Sequence, residues 1–385
     1  MKKVAIVSYG VLPYTSSDEV GMWSDEATFK VTREALAKIN LSADKIDTVI
    51  LSSMDGLDGI TISNALMAPA AGAFKKESTR IENGGIHCAV SAIAGILSGS
   101  ADIVVVASSD TIKTDLDYVS NATQDSVFRA PLGFNQDQTF GLLATECLKN
   151  TDATEDDFAA VAAKNYRNGA RNALAHVKAG HEADEIKSSK MASWPLTDLQ
   201  IAKPSYGAAA IIFASEETAK KLTDNPVWVT GIGVGTNSYF GSWEELSGNA
   251  GLEKAAKKAY EKAGIKNPAE DLDFVELANP FSAFELMAYE TLGLCEKGKA
   301  ADLMRNGDTE MDGSIPVNIS GGSLSTNGLN SSGVFRMIQA VRIMNGESEG
   351  VDIGNPKKAL VHDSDMNISA VGGDSHAVLI LEKGV

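Results

Sequence analysis

The chain has 385 residues, enough for two core-bearing units of ordinary size. Its 44% hydrophobic content with mixed charges is that of a globular protein, and a formal net charge of −17 argues against a nucleic-acid surface. No run of about 18 uncharged apolar residues exists, which excludes a helical membrane span. The three cysteines, Cys88, Cys147 and Cys295, make no metal-type pair and leave one over in any disulfide scheme, which suits the reducing cytoplasm.

The first apolar run, Val4-Ala5-Ile6-Val7, is too short for a secretory signal and reads as part of a strand, Lys3–Gly10, that ends in glycine. A helix is expected over Glu26–Ile39, with Phe29, Val31, Leu36 and Ile39 apolar, then a strand over Thr48–Ser52. A strand at Thr79–Glu82, the turn Asn83-Gly84-Gly85, a helix over Ile86–Leu97 and a strand at Ile103–Ala107 follow. The stretch from about Lys113 to Pro204, with helices over Asp156–Asn172 and Asp184–Ala192, reads as a cap-like insertion. A connection that long is functional, a dimer contact, or both. Ala208–Ala214 closes this half.

From Pro226 the order repeats. Val227–Gly233 is a strand ending in glycine, Leu252–Ala263 a helix and Phe274–Leu277 a strand. Pro316–Ile319 is a strand, Ser320-Gly321-Gly322 a turn, Ser332–Met344 a helix, Ala359–His362 a strand and His376–Leu381 the closing strand. Strands alternating with helices imply α/β layers with parallel sheets. The repetition divides the chain into halves, 1–223 with the insertion at about 113–204, and 224–385.

These runs, in this order, resemble the thiolase superfamily, in its sterol-carrier-protein-type and archaeal branch. Arg80-Ile81-Glu82-Asn83-Gly84 looks like the strand leading to the thiolase nucleophile turn, and Ser98–Val106 like the helix end and strand after it. Ala163–Asn168 matches a loop-domain helix of that branch. Val275–Phe281 with Glu285-Leu286 stands where the family has an Asn-Glu-Ala-Phe or His-Asp-x-Phe block. Asn318–Gly322 looks like Asn-Pro-Ser-Gly-Gly, and Ala370–Gly373 like the last glycine-rich loop. The resemblance implies two βαβαβ-type halves in a five-layered α-β-α-β-α arrangement, with a loop domain inserted in the first.

It also implies a chemistry that this sequence only partly equips. A thiolase needs a nucleophilic Cys at a helix N-terminus, a His that activates it and a second Cys as acid/base at the α-carbon, with two oxyanion holes. Gly85 falls at the nucleophile position. Cys88, one turn along beside His87, is either a displaced nucleophile or a small buried helix residue. The run Ser323–Asn330 just after Gly322 has no His, and Asn327 is a polar side chain there. Asn279 alone could fill the water-holding position, one place off register, and the last glycine loop lacks its Cys. Gly85, Asn318, Gly322 and Gly373 remain as possible oxyanion or substrate-binding positions, or as plain turns. Lys164, Arg167 and Arg171, at i, i+3 and i+7, form one helix face that either meets coenzyme A phosphates or is simply solvated.

The resemblance thus implies a protein acting on an acyl-CoA substrate, by acyl transfer or at the carbon–carbon bond β to the thioester, with no bound cofactor. Retro-aldol cleavage of a β-hydroxyacyl-CoA is one alternative and a catalytically silent subunit beside an active thiolase paralogue is another. A homodimer and a small zinc-ribbon/OB-fold (DUF35-like) partner are implied by the family alone.

Overall fold

The computed structural model describes residues 3–16, 21–82, 84–111, 115–122, 124, 126–127, 130–237, 248–367 and 374–384. In chain order its strands are β1 (Val4–Val11), β2 (Thr48–Ser52), β3 (Glu77–Ile81), β4 (Ile103–Asp110), the small hairpin β5 (Met191–Ser193) and β6 (Leu196–Thr197), then β7 (Gly207–Ser215), β8 (Val227–Thr236), β9 (Phe274–Leu277), β10 (Lys358–Ser364) and β11 (Ser375–Lys383). Its principal helices are α1 (Ser24–Lys38), α2 (Ser63–Ala70), α3 (Ile86–Ser98), α4 (Gln136–Asn150), α5 (Glu155–Arg171), α6 (Ala250–Ala263), α7 (Ser282–Thr291) and α8 (Ser332–Asn345). No described helix is long and apolar enough to cross a membrane.

Apart from the hairpin, the strands form one sheet in the order β3-β2-β4-β7-β1-β8-β11-β10-β9. Among the described strands, parallel ladders join β3 with β2, β2 with β4, and β10 with β9. The closing strands β7 and β11 run antiparallel to their neighbours, so the sheet is mixed where alternation of strands and helices predicts parallel ladders. For β11 the reason is connection length. A parallel neighbour requires a crossover of a dozen or more residues, and the link from β10 to β11 is too short for one. The two halves of the sheet meet where β1 pairs β8, over Val4↔Val229, Ala5↔Trp228 and Ile6↔Val227.

Three apolar clusters define the layers. α1 and α2 cover one face of the first-half strands through Val31, Leu36 and Met67. α3 and α8 lie between strands of both halves, where Ile86, Ile93, Val334 and Ile338 share a core with Val104 and Val361. α6 and α7 cover the far face of the second half through Ala255, Ala259 and Leu286. Burial on both faces explains the unbroken apolar run of β4, whose every residue is buried. The duplication is visible at one close approach in each half. A Cβ on Gly10 of β1 would lie 1.9 Å from the Val31 carbonyl oxygen of α1, and one on Gly233 of β8 would lie 1.9 Å from that of Ala255 in α6. In both places the absent side chain lets a helix rest on a strand.

The insertion does not stand apart. Phe140 of α4 stacks on Phe281 with ring centroids 4.6 Å apart, and Phe158 and Val161 of α5 join the core of α6 and α7. A segment carried by the first half therefore packs onto the second. Expected strand Pro316–Ile319 is reduced to one bridge, Val275↔Val317, because Asn318 turns the backbone left-handed at φ 54°.

Candidate active site

The N-termini of α3 and α8 cross at the centre of the molecule. The Gly333 amide donates to the Gly84 carbonyl at 2.6 Å, and a Cβ on Gly85 would lie 2.8 Å from Val334 Cγ2 and 3.2 Å from the Asn330 carbonyl oxygen. Gly85 (φ 92°) is thus sealed against α8, and the thiolase nucleophile position has no room for a side chain. Gly321 and Gly322 pack elsewhere: a Cβ on Gly322 would fall 2.4 Å from Oδ1 of both Asn165 and Asn279. Gly373 and Asn83 lie outside the described residues.

Cys88 sits as a buried helix residue. Its thiol is fully buried against Ile81, 3.9 Å from that carbonyl oxygen, and burial pushes it up to about 12. At neutral pH such a group is an inert thiol. Its neighbour His87 turns away from it, and Nε2 lies 2.8 Å from Ser375 Oγ. Burial also raises Cys147 to about 11 and Cys295 to about 12, the latter helped by the Glu290 charge.

The polar side chains expected at the site separate into distinct networks. Asn279 and Asn318 are structural. With Asn165 they donate at 2.8, 2.9 and 2.8 Å to Glu285 Oε2, while Lys164 Nζ and Tyr289 Oη reach Oε1 at 2.5 Å each. The other ends are also used: Asn279 Oδ1 accepts from the Ser323 amide at 2.6 Å and Asn318 Oδ1 from that of Leu277 at 2.8 Å. Asn279 is therefore not free to hold a catalytic water. The Asn327 carbonyl accepts from the Ser205 amide and its own amide donates to Ser205 Oγ, while its buried Oδ1 has no partner among the described residues.

Lys164 likewise departs from the expected phosphate-binding face. It is 1% exposed and held by Glu285, because the i, i+3, i+7 face straddles the boundary between core and solvent. Arg167 and Arg171 do reach the surface and line a groove of about 1190 Å³. Arg167 is paired with Glu310 at 2.6 Å, and Glu270, Asp273, Asp312 and Asp352 also face that groove. Such a lining repels an anion.

Four buried acids and a buried arginine, none of them picked out in the sequence, surround the helix crossing. Asp110 at the end of β4 accepts from the Asn330 amide at 2.7 Å and from Ser331, whose hydroxyl also meets Tyr14. Asp363, in β10, accepts from Ser332 Oγ at 2.8 Å and abuts Gly84 and Gly333. Glu276 holds Ser320 through its amide at 3.0 Å and its hydroxyl at 2.5 Å. Arg336 of α8, fully buried, donates to Ser323 Oγ at 2.6 Å between these carboxylates. Burial raises Asp110 to about 6 and Glu276 and Asp363 to about 7, against the pull of their hydrogen bonds. The available signal was a charge embedded in an apolar helix, as in Val334-Phe335-Arg336-Met337-Ile338, since a charge there is buried only with partners.

The fourth acid, Asp58, accepts from Asn330 Nδ2 at 2.9 Å, and its Oδ2 has no partner among the described residues. Burial first, and the Asp110 charge second, raise it to about 7. A raised carboxylate costs nothing below its unfolded value near 4, and its penalty grows as pH rises to about 7 and is constant above. Asp58→Asn is therefore expected to stabilise the fold at pH 8 by on the order of 1–3 kcal/mol and by less at pH 4.5. Urea unfolding at both pH values measures this, and an equal or reversed effect would contradict the assignment.

On the face of β10 opposite Asp363 lies an imidazole pair. His362 Nε2 lies 3.0 Å from His376 Nδ1, and His376 Nε2 lies 2.6 Å from Asp374 Oδ2. Both rings are fully buried, as expected for His376 in a closing strand. Nearby, Asp365 accepts from the Ser375 amide at 2.8 Å and is raised to about 7 by burial. The titratable groups gathered around this part of the sheet are thus buried acids and imidazoles.

Residues 234–383 match the family described as thiolase C-terminal domain-like. The chain is 31% identical to the benzoylsuccinyl-CoA thiolase subunit BbsB of Thauera aromatica over 58% of each chain, and 33% identical to sterol carrier protein 2 of Oryctolagus cuniculus over 61% of this chain and 44% of that one. These matches are to thiolase-superfamily proteins, among them members of its sterol-carrier-protein-like branch. The chain spans about half the length of these curated relatives. Similarity extends over 91% of the chain, at 25% identity, to the 17-hydroxy-3-oxo-4-pregnene-20-carboxyl-CoA lyase of Mycobacterium tuberculosis, covering 90% of that protein. The solved structure of the Ltp2-ChsH2(DUF35) aldolase shares the fold, with a TM-score of 0.83 at 22% identity over 99% of this chain and 97% of that one. This thiolase-fold protein thus keeps the superfamily architecture around a centre whose thiol, Cys88, is buried.

Proposed function

We propose that this protein cleaves, or in reverse forms, the carbon–carbon bond between Cα and Cβ of a β-hydroxyacyl-CoA by retro-aldol chemistry. One observation carries the reading. All three cysteines lie among the described residues, and each has its thiol raised to about 11 or 12, so no thiolate stands ready to carry an acyl group. Retro-aldol cleavage needs none. A base takes the β-hydroxyl proton, the oxygen pair forms a carbonyl, and the Cα–Cβ pair moves onto the thioester as an enolate that is then protonated at Cα. A site rich in carboxyls and imidazoles suits that sequence of proton transfers. The similarity to a CoA lyase over nearly the whole of both chains supports it. Association with a DUF35-like partner, as the name of the aldolase complex suggests, belongs to the same reading.

Incubation with a panel of β-hydroxyacyl-CoA thioesters, alone and with such a partner, should release a carbonyl product and a shortened acyl-CoA. Cys88→Ala should retain the wild-type rate. Loss of cleavage in Cys88→Ala together with an acyl adduct mapped to Cys88 in the wild type would return the protein to cysteine chemistry. Absence of cleavage across the panel with the partner present would favour the silent subunit.

A further inference from the structure

Resting on the retro-aldol reading, we propose that His362 Nδ1 is the base that takes the substrate hydroxyl proton, and that His376 and Asp374 are positioning residues that relay the charge away from it. The geometry fixes the direction of the relay. Asp374 Oδ2 can only accept, so at 2.6 Å the hydrogen lies on His376 Nε2. With His376 neutral, its Nδ1 is a bare acceptor, so the 3.0 Å contact is then a hydrogen bond donated by His362 Nε2. The neutral tautomer of His362 therefore leaves the Nδ1 lone pair without a donor. That nitrogen is buried and has no partner among the described residues, in a residue that is itself 0% exposed. An unmet acceptor in such a place calls for an occupant, and a hydroxyl group supplies the donor it lacks.

The surroundings favour moving the charge. Burial, then the fields of His376, Arg336 of α8 and His87 of α3, hold His362 neutral by lowering its basicity. On its α7 side the ring stacks on Phe284 at 6.0 Å, which offers no counter-charge. A proton arriving at Nδ1 is accommodated if Nε2 releases its own to His376 Nδ1. The positive charge then rests on His376 beside Asp374, which burial raises but the His376 contact lowers further, keeping it ionised. Asn237 Nδ2 donates to the same oxygen at 3.0 Å and fixes its position. One proton enters at Nδ1, one crosses between the rings and no charge is left on His362. After the carbonyl product leaves, the reverse transfer returns a proton to Cα and resets the tautomers.

Nitrogen-15 NMR of histidine-labelled full-length protein at pH 8, assigned through the backbone, reads the tautomers without substrate or variant. His362 is expected as the Nε2–H form with bare Nδ1, and a proton on Nδ1 overturns the proposal. In the cleavage assay Asp374→Asn is expected to lower kcat roughly 100-fold or more with KM little changed, since general-base assistance is of that size. Unchanged kcat in folded Asp374→Asn also overturns it. If the wild type cleaves no β-hydroxyacyl-CoA yet shows the expected tautomers, the retro-aldol reading fails while the relay stands.

Discussion

Replacing Glu285 by alanine is expected to lower the unfolding free energy by about 3–5 kcal/mol, the size of effect seen when one partner of a buried ion pair is removed. Glu285 is fully buried and accepts from Lys164, Tyr289, Asn165, Asn279 and Asn318, five donors on two oxygens. Without it the Lys164 ammonium keeps only the Tyr289 hydroxyl and the Val317 carbonyl oxygen, each 3.1 Å away, and remains charged in the interior. Three amide groups lose their acceptor as well. The damage spreads because the donors come from α5 of the insertion, the turn after β9 and the bend at Asn318. Glu285→Gln should recover little, since its amide nitrogen would face donors. Lys164→Met combined with Glu285→Leu should cost less than Glu285→Ala, because no charge is then stranded. Urea unfolding of the three variants measures the order. A single alanine variant as stable as wild type would show that the pair is not buried.

This network also marks where the sequence could be read and where it could not. Element order was legible because burial imposes periodicity: α3 was expected over Ile86–Leu97 and spans Ile86–Ser98, and β2 falls on Thr48–Ser52 as expected. The glycine repeat that pairs β1 with α1 and β8 with α6 was legible for the same reason. Antiparallel closure by β7 and β11 was not, since periodicity reports which face is buried and says nothing of a neighbour's direction. Site residues were harder. Asn279, Asn318 and Lys164 are polar in the expected segments, yet each is saturated by Glu285, a contact made across 120 residues or more for the lysine and a few for Asn279. Asp110 and Asp363 hang from the ends of β4 and β10 and converge on the start of α8. Nothing local in Ser108-Ser109-Asp110 or His362-Asp363-Ser364 announces that meeting, because it is created by packing two halves together.

The same convergence predicts that thiolase chemistry cannot be restored by one substitution. Gly85→Cys would place a thiol where the family carries its nucleophile, but the backbone there has φ 92° and the new Cβ would lie 2.8 Å from Val334 Cγ2 and 3.2 Å from both the Asn330 carbonyl oxygen and the Val334 amide. Left-handed strain for a non-glycine residue costs about 1–3 kcal/mol, and overpacking a similar amount, so a loss of roughly 2–5 kcal/mol is expected. Gly85→Ala should lose nearly as much, which would show that the Cβ and not the sulfur is at fault. Adding Val334→Ala removes the shortest contact and should recover part of the loss, but the strain in φ and the approach to the α8 backbone remain. Intact mass after incubation with acyl-CoA should show no adduct on the introduced thiol. A stable Gly85→Cys protein that is readily acylated would mean that the crossing of α3 and α8 can open, and that the absence of a thiol, rather than of space, is what separates this site from a thiolase.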